Sequence, residues 1–279
     1  MVDMKHDPIL KENAHVPESV DSQPWIKAGF RIGDIGTHTS RTIMLKELEL
    51  LIADQSAQAS RADYVSAIID QNCLSKKTVS TRKLSCQRLS ELYGLNPSIL
   101  LFRVLRSLWQ VDENGRPLLA LLTGLARDPL LRVTVTPVLQ MHSGEELVRQ
   151  KLTDALRQSV ENRLNDSTLD TVVRNISSSW TQSGHLKGRV RKYRQKVNPT
   201  PIVTAYALLL GYILGARGSG LFNTPWAKVL DTPAEELLSL ATNAKRLGFL
   251  DLSQAGGVVE VSFTRMLTED ERRLIHGTD

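Results

Sequence analysis

The chain has 279 residues, of which 41% are hydrophobic and 23% charged, so it can bury a core as one large domain or two small ones. Aromatic residues make up only 5%, and the apolar residues are mostly Leu, Val, Ile and Ala, which favours helices over an all-β fold. The formal net charge of +5 is a mild bias towards an anionic partner.

The cysteines and the apolar segments indicate a protein of the reducing cytoplasm. Cys73 and Cys86 are the only cysteines, and their spacing fits neither a metal knuckle nor a disulfide framework. Residues 1–20 lack the apolar region of a signal peptide. Residues 202–216 are apolar, but fifteen residues are too few for a membrane-spanning helix, which needs ~20. We therefore predict a buried core helix there and no membrane partner.

In chain order, the first three parts of the sequence run from a polar arm into a helical core. Residues 1–36 are polar, hold three prolines and three glycines, and are predicted to be a flexible N-terminal arm. Residues 37–110 are predicted to form an N-terminal helical domain of helix-turn-helix type, whose first helix is capped by Thr39 or Ser40. Residues 111–165 are predicted to be helical core and connector.

Residues 166–279 are predicted to form a C-terminal winged-helix-like domain. The sequence Thr232-Pro233-Ala234-Glu235 resembles a capping box, so we expect a helix to begin there. Two alternating runs then surround Gly256-Gly257, which is the pattern of a β-hairpin. A helix followed by a hairpin is the ending of a winged helix. The predicted fold class is thus mainly α, with winged helix-turn-helix modules and a small C-terminal β-hairpin.

The predicted helix at residues 167–184 has two contrasting faces, and Ser167 with Asp170 resembles a capping box at its start. One face is a buried apolar stripe formed by Leu169, Val172, Val173, Ile176 and Trp180. The opposite face carries Thr171, Arg174, Asn175, Ser178, Thr181 and Gln182. These side chains hydrogen-bond base edges and phosphates, whereas an ordinary surface helix exposes Glu and Lys. We therefore predict that this helix enters a groove of a nucleic acid.

The next segment, HLKGRVRKYRQK at residues 185–196, holds six Lys or Arg and no acid. Lys187, Arg189 and Arg191 alternate along it, so a strand or wing would place all three on one face. A polar helix followed by glycine and a basic wing is the layout of a winged helix-turn-helix, in which the wing grips the DNA backbone.

The acid-free stretch extends well beyond this segment. Residues 171–230 contain nine Lys or Arg and no Asp or Glu, although 30 acids in 279 residues would put about six in a stretch of sixty. A solvated surface usually mixes both signs of charge, so such a stretch indicates contact with a nucleic acid. A plain basic surface and an anionic lipid or protein partner are the alternatives.

A second basic surface is predicted on the helix within residues 75–94. Residues 71–90 again contain no acid, and Lys77, Thr81 and Arg88 line up opposite an apolar face that includes Cys86. Because Lys and Arg also favour helices, an ordinary solvated helix is the alternative here.

Sequence motifs for catalysis or metal binding are not found. The six histidines form no HxxxH or HxH pair, and neither a GxxxxGK[ST] loop, a GxGxxG loop nor a GxSxG elbow occurs. Asp251 and Glu260 resemble two carboxylates of a restriction-type metal site, but Ser262 stands where that pattern has a lysine. We expect no enzymatic activity, no metal and no cofactor.

Two segments resemble a known family. Residues 61–92 carry Ile68-Ile69, Asn72-Cys73-Leu74, Ser75-Lys76, Thr81-Arg82 and Arg88-Leu89, and these resemble the N-terminal region of the BrxA-like proteins of BREX phage-defence systems. The stretch from Ser167 to Leu186 resembles the second helical module of that family. The resemblance covers residues 38 to about 265 and implies a helical, NusB-like protein that binds duplex DNA without catalysis. The N-terminal arm and the C-terminal hairpin depart from the family and leave the defence locus open.

The sequence as a whole favours a non-catalytic protein that binds double-stranded DNA chiefly through phosphates. The predicted backbone contacts are Lys187, Arg189, Arg191, Lys192, Arg194 and Lys196, with Lys76, Lys77, Thr81 and Arg88 as a second set. The residues predicted to enter a groove are Arg174, Asn175 and Ser178. Rival hypotheses are a sequence-specific winged-helix transcription regulator, a scaffold subunit that binds acidic partners such as a methyltransferase or ATPase of the same defence locus, and an RNA-binding antitermination factor.

Overall fold

The computed structural model describes residues 23–33, 36–160 and 163–276, which form a mainly helical protein with two small antiparallel hairpins. The helices are α1 (Pro24–Ala28), α2 (Leu45–Asp54), α3 (Arg61–Ile69), α4 (Val79–Tyr93), α5 (Leu100–Val111), α6 (Arg116–Arg127), α7 (Pro129–Arg132), α8 (Val135–Leu139), α9 (Arg149–Val160), α10 (Asp166–Gln182), α11 (Pro201–Ile213), α12 (Pro225–Lys228), α13 (Ala234–Arg246) and α14 (Glu269–His276). The strands are β1 (Leu186–Lys187), β2 (Tyr193–Arg194), β3 (Asp251–Ala255) and β4 (Val258–Ser262). The predicted mainly α class and the C-terminal hairpin at Gly256-Gly257 are confirmed.

Two helices, α6 and α11, lie at the centre of the core. Every residue of α11 from Ile202 to Ile213 is buried, as are the residues of α6 from Leu118 to Arg127. The two helices pack against each other, and the hydroxyls of Thr123 and Tyr206 lie 2.8 Å apart between them. The prediction that residues 202–216 contain a buried core helix is confirmed. Within the described part of the chain, none of the helices combines the length and the apolar character that crossing a membrane requires.

Helix α10 packs with its apolar stripe inwards, as predicted. Leu169, Val172, Val173, Ile176 and Trp180 are at most 3% exposed. The helix contacts α6, α9 and the 3₁₀ turn Thr37–Thr39. The indole Nε1 of Trp180 donates to Thr134 Oγ1 at 2.9 Å, which satisfies the one polar atom of this buried ring.

The predicted extent of the flexible N-terminal arm is wrong for residues 23–33, while residues 1–22 and 34–35 lie outside the described residues. Pro24–Ala28 forms a helix, and Ala28 and Phe30 are buried. The buried Arg127 donates through Nε to Glu91 O and through Nη1 to Gly29 O. Two contacts therefore fix this segment to the core. The ring of Phe30 packs against Trp226, and the carbonyl of Gly29 accepts from the buried guanidinium of Arg127.

Three predicted helix starts are wrong by a few residues, because tertiary contacts and neighbouring polar residues compete for the cap. Helix α2 begins at Leu45 rather than after Thr39 or Ser40, since the extended chain before it is held against α10 by Ile43 N, which donates to Ser179 Oγ. Helix α10 is capped by Asn165, whose side chain accepts from Thr168 N, and not by Ser167 with Asp170.

The third misplaced start is that of α13. Its N-cap is Pro233, which makes no side-chain hydrogen bond, and the hydroxyl of Thr232 donates to Leu230 O instead of capping the helix. Helix α13 is still followed by the hairpin β3–β4, as predicted. It packs against both α11 and β3. Beyond the hairpin, α14 is tied to α5 by Arg103, whose Nε donates to Glu271 at 2.7 Å.

Buried apolar residues from all parts of the described chain form a single continuous cluster, from Ala28 to Ile275. The division at residues 110 and 165, like the winged-helix and NusB-like assignments, stays a prediction.

Candidate nucleic-acid interface

The basic segment forms a small hairpin, and of Lys187, Arg189 and Arg191 only Lys187 lies in a strand. Strands β1 and β2 pair through Leu186 with Arg194 and Lys187 with Tyr193, which leaves residues 188–192 as a connecting loop. We call residues 187–192, which are this loop and the last residue of β1, the basic loop. Gly188 starts the turn with φ +121, and a Cβ there would lie 2.0 Å from Arg191 O. Glycine at this position is what lets the chain turn so tightly.

A third chain segment supports the hairpin from outside. Gly144 N donates to Arg194 O at 2.8 Å, Leu147 N donates to Lys192 O at 2.7 Å, and Arg194 N donates to Glu145 O at 2.9 Å. Strand β2 is thus hydrogen-bonded on both sides, so its position is fixed by backbone contacts. The basic loop extends from this fixed base.

Arg194, predicted to contact phosphate, is instead the buried anchor of the hairpin. Its side chain is 4% exposed and its Nη2 lies 2.5 Å from Asp231 Oδ1. Its Nε donates to Val138 O at 3.0 Å, so the guanidinium is satisfied within the protein and cannot reach DNA. The prediction for this residue is wrong, because β2 turns it inwards.

Next to this ion pair, His185 lies fully buried and neutral. Burial is the main cause that lowers the pKa of His185 to about 4; the nearby Arg194 adds to this lowering, and the Val229 carbonyl and Asp231 oppose it. Because Val229 O can only accept, Nε2 of the ring carries the proton and donates to it across 2.8 Å, while Nδ1 lies 2.9 Å from Ser183 Oγ.

Lys192 is also turned partly inwards. Its Nζ donates to Thr181 Oγ1 at 2.8 Å, which ties the end of the basic loop to α10. Burial lowers the pKa of Lys192. This lysine therefore positions the loop and is less available to a partner than its neighbours are.

The remaining cations of the segment face outwards as predicted. Lys187, Arg189 and Lys196 are exposed, and the Arg191 side chain is 72% exposed, with Nε 3.7 Å from Glu146 Oε1. Of the six cations predicted to contact phosphate, four are therefore exposed at the surface. The other two, Lys192 and Arg194, make contacts within the protein that hold the hairpin in place.

A cleft of about 310 Å³ lies between the basic loop, α10 and the start of α9. Among the described residues that line it, Glu146 supplies the carboxylate and the cations are Arg149, Arg174, Arg189, Arg191 and Lys192. We call this site the basic cleft. Arg149 was not predicted, because it lies outside the acid-free stretch and only the fold brings it beside the loop. Asp170 lies 3.0 Å from Arg149 and 3.5 Å from Arg174, so one exposed carboxylate pairs with both arginines.

The polar face of α10 is not the open face that groove reading requires. Asn175 donates from its amide to His38 O at 2.9 Å, and Gln182 Oε1 accepts from Leu45 N at 3.1 Å. Ser178 is half-buried and only Arg174 of the three predicted groove residues is exposed. The prediction of an open face is wrong because residues 37–45 cross this face, and their backbone groups use its hydrogen-bonding side chains.

The second predicted surface, on α4, is largely neutralised. Lys76 lies 2.9 Å from Glu47 and Arg88 lies 2.7 Å from Glu91, so acids from outside the acid-free stretch pair with both. Thr81 is exposed and forms a capping box with Thr78 at the start of α4, and Lys77 is exposed. The surface therefore offers less uncompensated charge than the sequence indicates.

Inside the protein, the fold brings together an aspartate, a histidine and a serine that the sequence does not connect. His38 Nδ1 lies 2.8 Å from Asp128 Oδ2, and His38 Nε2 lies 2.8 Å from Ser179 Oγ. All three residues are at most 1% exposed, and Ser179 Oγ also accepts from Ile43 N. Burial alone would raise the pKa of Asp128, but His38 and two backbone N–H groups hold it below its usual range. Because the serine is buried, a substrate cannot reach it. The hydrogen bonds among these three side chains instead join the segment 37–43 to α10 and to the start of α7.

Other chemistry-bearing groups are scattered. No three or more His, Cys, Asp or Glu side chains are placed to hold a metal ion anywhere in residues 23–33, 36–160 and 163–276. Cys73 and Cys86 are free, and burial raises the pKa of Cys73 to about 11, so its thiolate is disfavoured at neutral pH. Asp251 and Glu260 lie in strands β3 and β4, where Asp251 accepts from Thr264 at 2.6 Å.

Comparison with models of known protein families and with characterised protein sequences gives no match. The resemblance to BrxA-like proteins is therefore carried by its short motifs alone.

Proposed function

We propose that the protein binds double-stranded DNA without catalysis, through phosphate contacts made by the basic loop and the basic cleft. The observation that carries the proposal is the placement of Arg189 and Arg191, on a loop whose base is fixed, beside Arg149 and Arg174 in one cleft, with Lys187 exposed at the base of the loop. With Lys192, five cations of three chain segments line this cleft, against the carboxylates of Glu146 and Asp170. Positive charge concentrated in a concave surface attracts a polyanion more strongly than charge scattered over the surface does.

The same geometry favours backbone binding over reading of a sequence by α10. Phosphate contacts fix position and carry no sequence information, whereas base readout needs free hydrogen-bonding side chains in a groove. Asn175 and Gln182 are occupied by the backbone of residues 38 and 45. A transcription regulator that uses this helix is therefore the weaker hypothesis.

The role in phage defence is proposed on the resemblance to BrxA-like proteins. In that role the DNA-binding protein would work with other subunits of a defence complex, such as a methyltransferase or an ATPase, in the cytoplasm. Retention of such a subunit on the tagged protein in nuclease-treated lysate would support the role. Its release by nuclease would show that DNA, and no protein contact, links the two.

The proposal is tested by fluorescence anisotropy with a random duplex of 30 base pairs at low salt. The triple variant Lys187→Ala, Arg189→Ala, Arg191→Ala should bind roughly 10- to 100-fold more weakly, because three phosphate contacts are lost. All three side chains are exposed, so the variant should fold normally.

A matched control removes the same charge elsewhere. Arg246, Arg265 and Arg273 are exposed and none of them lines the basic cleft. The triple variant Arg246→Ala, Arg265→Ala, Arg273→Ala should keep most of the affinity. Equal loss in both variants would mean that only net charge matters, and absence of wild-type binding at low salt would overturn the proposal.

A further inference from the structure

The tip of the basic loop carries an exposed apolar side chain. Val190 is 92% exposed and lies between Arg189 and Arg191. A β-branched residue that is almost fully exposed gains nothing from the core, so stability does not account for it.

The loop that carries Val190 is held in one position. Lys192 ties its end to α10 through Thr181, and the backbone of residues 144–147 pairs with β2. At its start, Gly188 brings the chain to within contact of Arg191 O. A pre-formed loop can enter a narrow site without first losing conformational freedom.

Shape and chemistry of the loop both fit the minor groove of DNA. The paired part of the hairpin is two residues long on each strand, and the short loop 188–192 that joins the strands carries Val190. The minor groove is about 6 Å wide, half the width of the major groove, and admits a single loop where the major groove admits a helix or a longer ribbon. Val190 has no hydrogen-bonding group with which to read the major-groove pattern, whereas minor-groove proteins insert apolar side chains between base steps.

The flanking residues have the chemistry of the same groove. Arginine is the residue attracted to narrow A·T-rich minor grooves, where the negative potential is enhanced. Arg189 and Arg191 stand on either side of Val190, so both guanidinium groups would follow the tip inwards. The exocyclic amino group of guanine projects into the minor groove and would oppose this approach.

We infer that the basic loop inserts Val190 into the minor groove of duplex DNA, with Arg189 and Arg191 beside it, and that the protein prefers duplexes without the guanine amino group. The inference rests on the proposed duplex binding and adds which groove is used and which base pairs are preferred. Cations of the basic cleft would then contact the phosphates along the edge of that groove.

Three duplexes of 30 base pairs separate the two grooves. One is rich in A·T pairs, one is rich in G·C pairs, and in the third every guanine of the G·C duplex is replaced by inosine. An I·C pair presents the major-groove pattern of G·C but lacks the minor-groove amino group. We expect the I·C and A·T duplexes to bind alike and the G·C duplex to bind about tenfold more weakly, which is ~1.4 kcal/mol.

The variant Val190→Ser tests the tip itself. It keeps every charge and alters an exposed residue, so the protein should fold and still bind duplex DNA. We expect the preference for I·C over G·C to shrink at least threefold, about 0.65 kcal/mol, because the apolar wedge is lost.

The outcomes distinguish this inference from the function on which it rests. Wild-type binding with equal affinity for the I·C and G·C duplexes would overturn the minor-groove inference and leave duplex binding intact. Absence of binding to all three duplexes would overturn both. Binding to vesicles of anionic phospholipid that depends on Val190, with no binding to duplexes, would show that the loop meets a lipid surface instead.

Discussion

Arg194 shows how a residue that looks like a DNA contact in the sequence acts as a structural anchor. Its guanidinium lies 2.5 Å from Asp231 and donates to Val138 O, and only 4% of the Arg194 side chain is exposed. Breaking one partner of a buried ion pair costs about 3–5 kcal/mol, because the other charge is left uncompensated. We expect Arg194→Ala to lower the free energy of unfolding by that amount in urea denaturation.

Lys196 provides the matched control for this prediction. It lies two residues further along and is exposed. The variant Lys196→Ala should change the free energy of unfolding by less than about 0.5 kcal/mol, as is usual for surface substitutions. Equal stability of the two variants would show that Arg194 is not an anchor.

His185 makes stability depend on pH. Its pKa is about 4 in the folded protein and about 6.5 in an unfolded chain, so only the unfolded state takes up a proton between these values. The contribution of this residue is complete above pH 6.5 and falls as the pH approaches 4, by about 3 kcal/mol in total. We expect the free energy of unfolding of His185→Gln to fall less steeply between pH 6.5 and 4.5 than that of the wild type. Parallel curves would mean that His185 does not titrate in this range.

At the residue scale, the sequence could not separate these roles. Arg189, Arg191 and Arg194 lie in one basic run, and only the register of a two-residue strand pair decides that Arg194 points inwards. The alternation of Lys187, Arg189 and Arg191 would place all three on one face of a strand or wing, but Gly188 turns the chain after Lys187. Asp231, the partner of Arg194, is 37 residues away in the chain.

At the scale of the elements, the conformation of the basic loop depends on Gly188. A Cβ at Gly188 would lie 2.0 Å from Arg191 O, and the φ of +121 is one that other residues rarely adopt. The variant Gly188→Ala must therefore reshape the loop, which separates Arg189 and Arg191 from the cleft. We expect duplex affinity in the anisotropy assay to fall roughly fivefold or more, through lost phosphate contacts.

Gly257 in the C-terminal hairpin serves as the control. It has a φ of +81, but nothing lies within 4 Å of the site of its Cβ. The variant Gly257→Ala also places alanine at a positive φ, at a backbone cost of about 1–2 kcal/mol, but without a clash at the basic loop. An equal loss of affinity in both variants would contradict a specific role for the loop.

The sequence correctly predicts the features that depend only on the residues within one helix or hairpin. The apolar stripe of α10, the buried helix α11 and the hairpin at Gly256-Gly257 all follow from periodicity or turn chemistry and are confirmed. The prediction that the polar face of α10 is open to a partner is wrong, because the extended chain around Ile43 crosses this face. Such a contact between distant segments leaves no pattern in the local sequence. The same holds for Arg149, which joins the cleft only through folding.

At the scale of the whole molecule, charge is separated along the chain. Residues 171–230 hold nine cations and no acid, whereas residues 231–279 hold nine acids against five Lys or Arg. In the proposed binding, the acid-free stretch is therefore the part of the sequence that attracts a polyanion.

The salt dependence of duplex binding tests the central claim most directly. The logarithm of the association constant should fall linearly with the logarithm of salt concentration, by about 0.9 per phosphate contacted. Changing Lys187, Arg189 and Arg191 to Ala should reduce the slope by about 2.7, since three contacts are removed. A slope that is the same in wild type and triple variant would contradict the claim that the basic loop grips the DNA backbone.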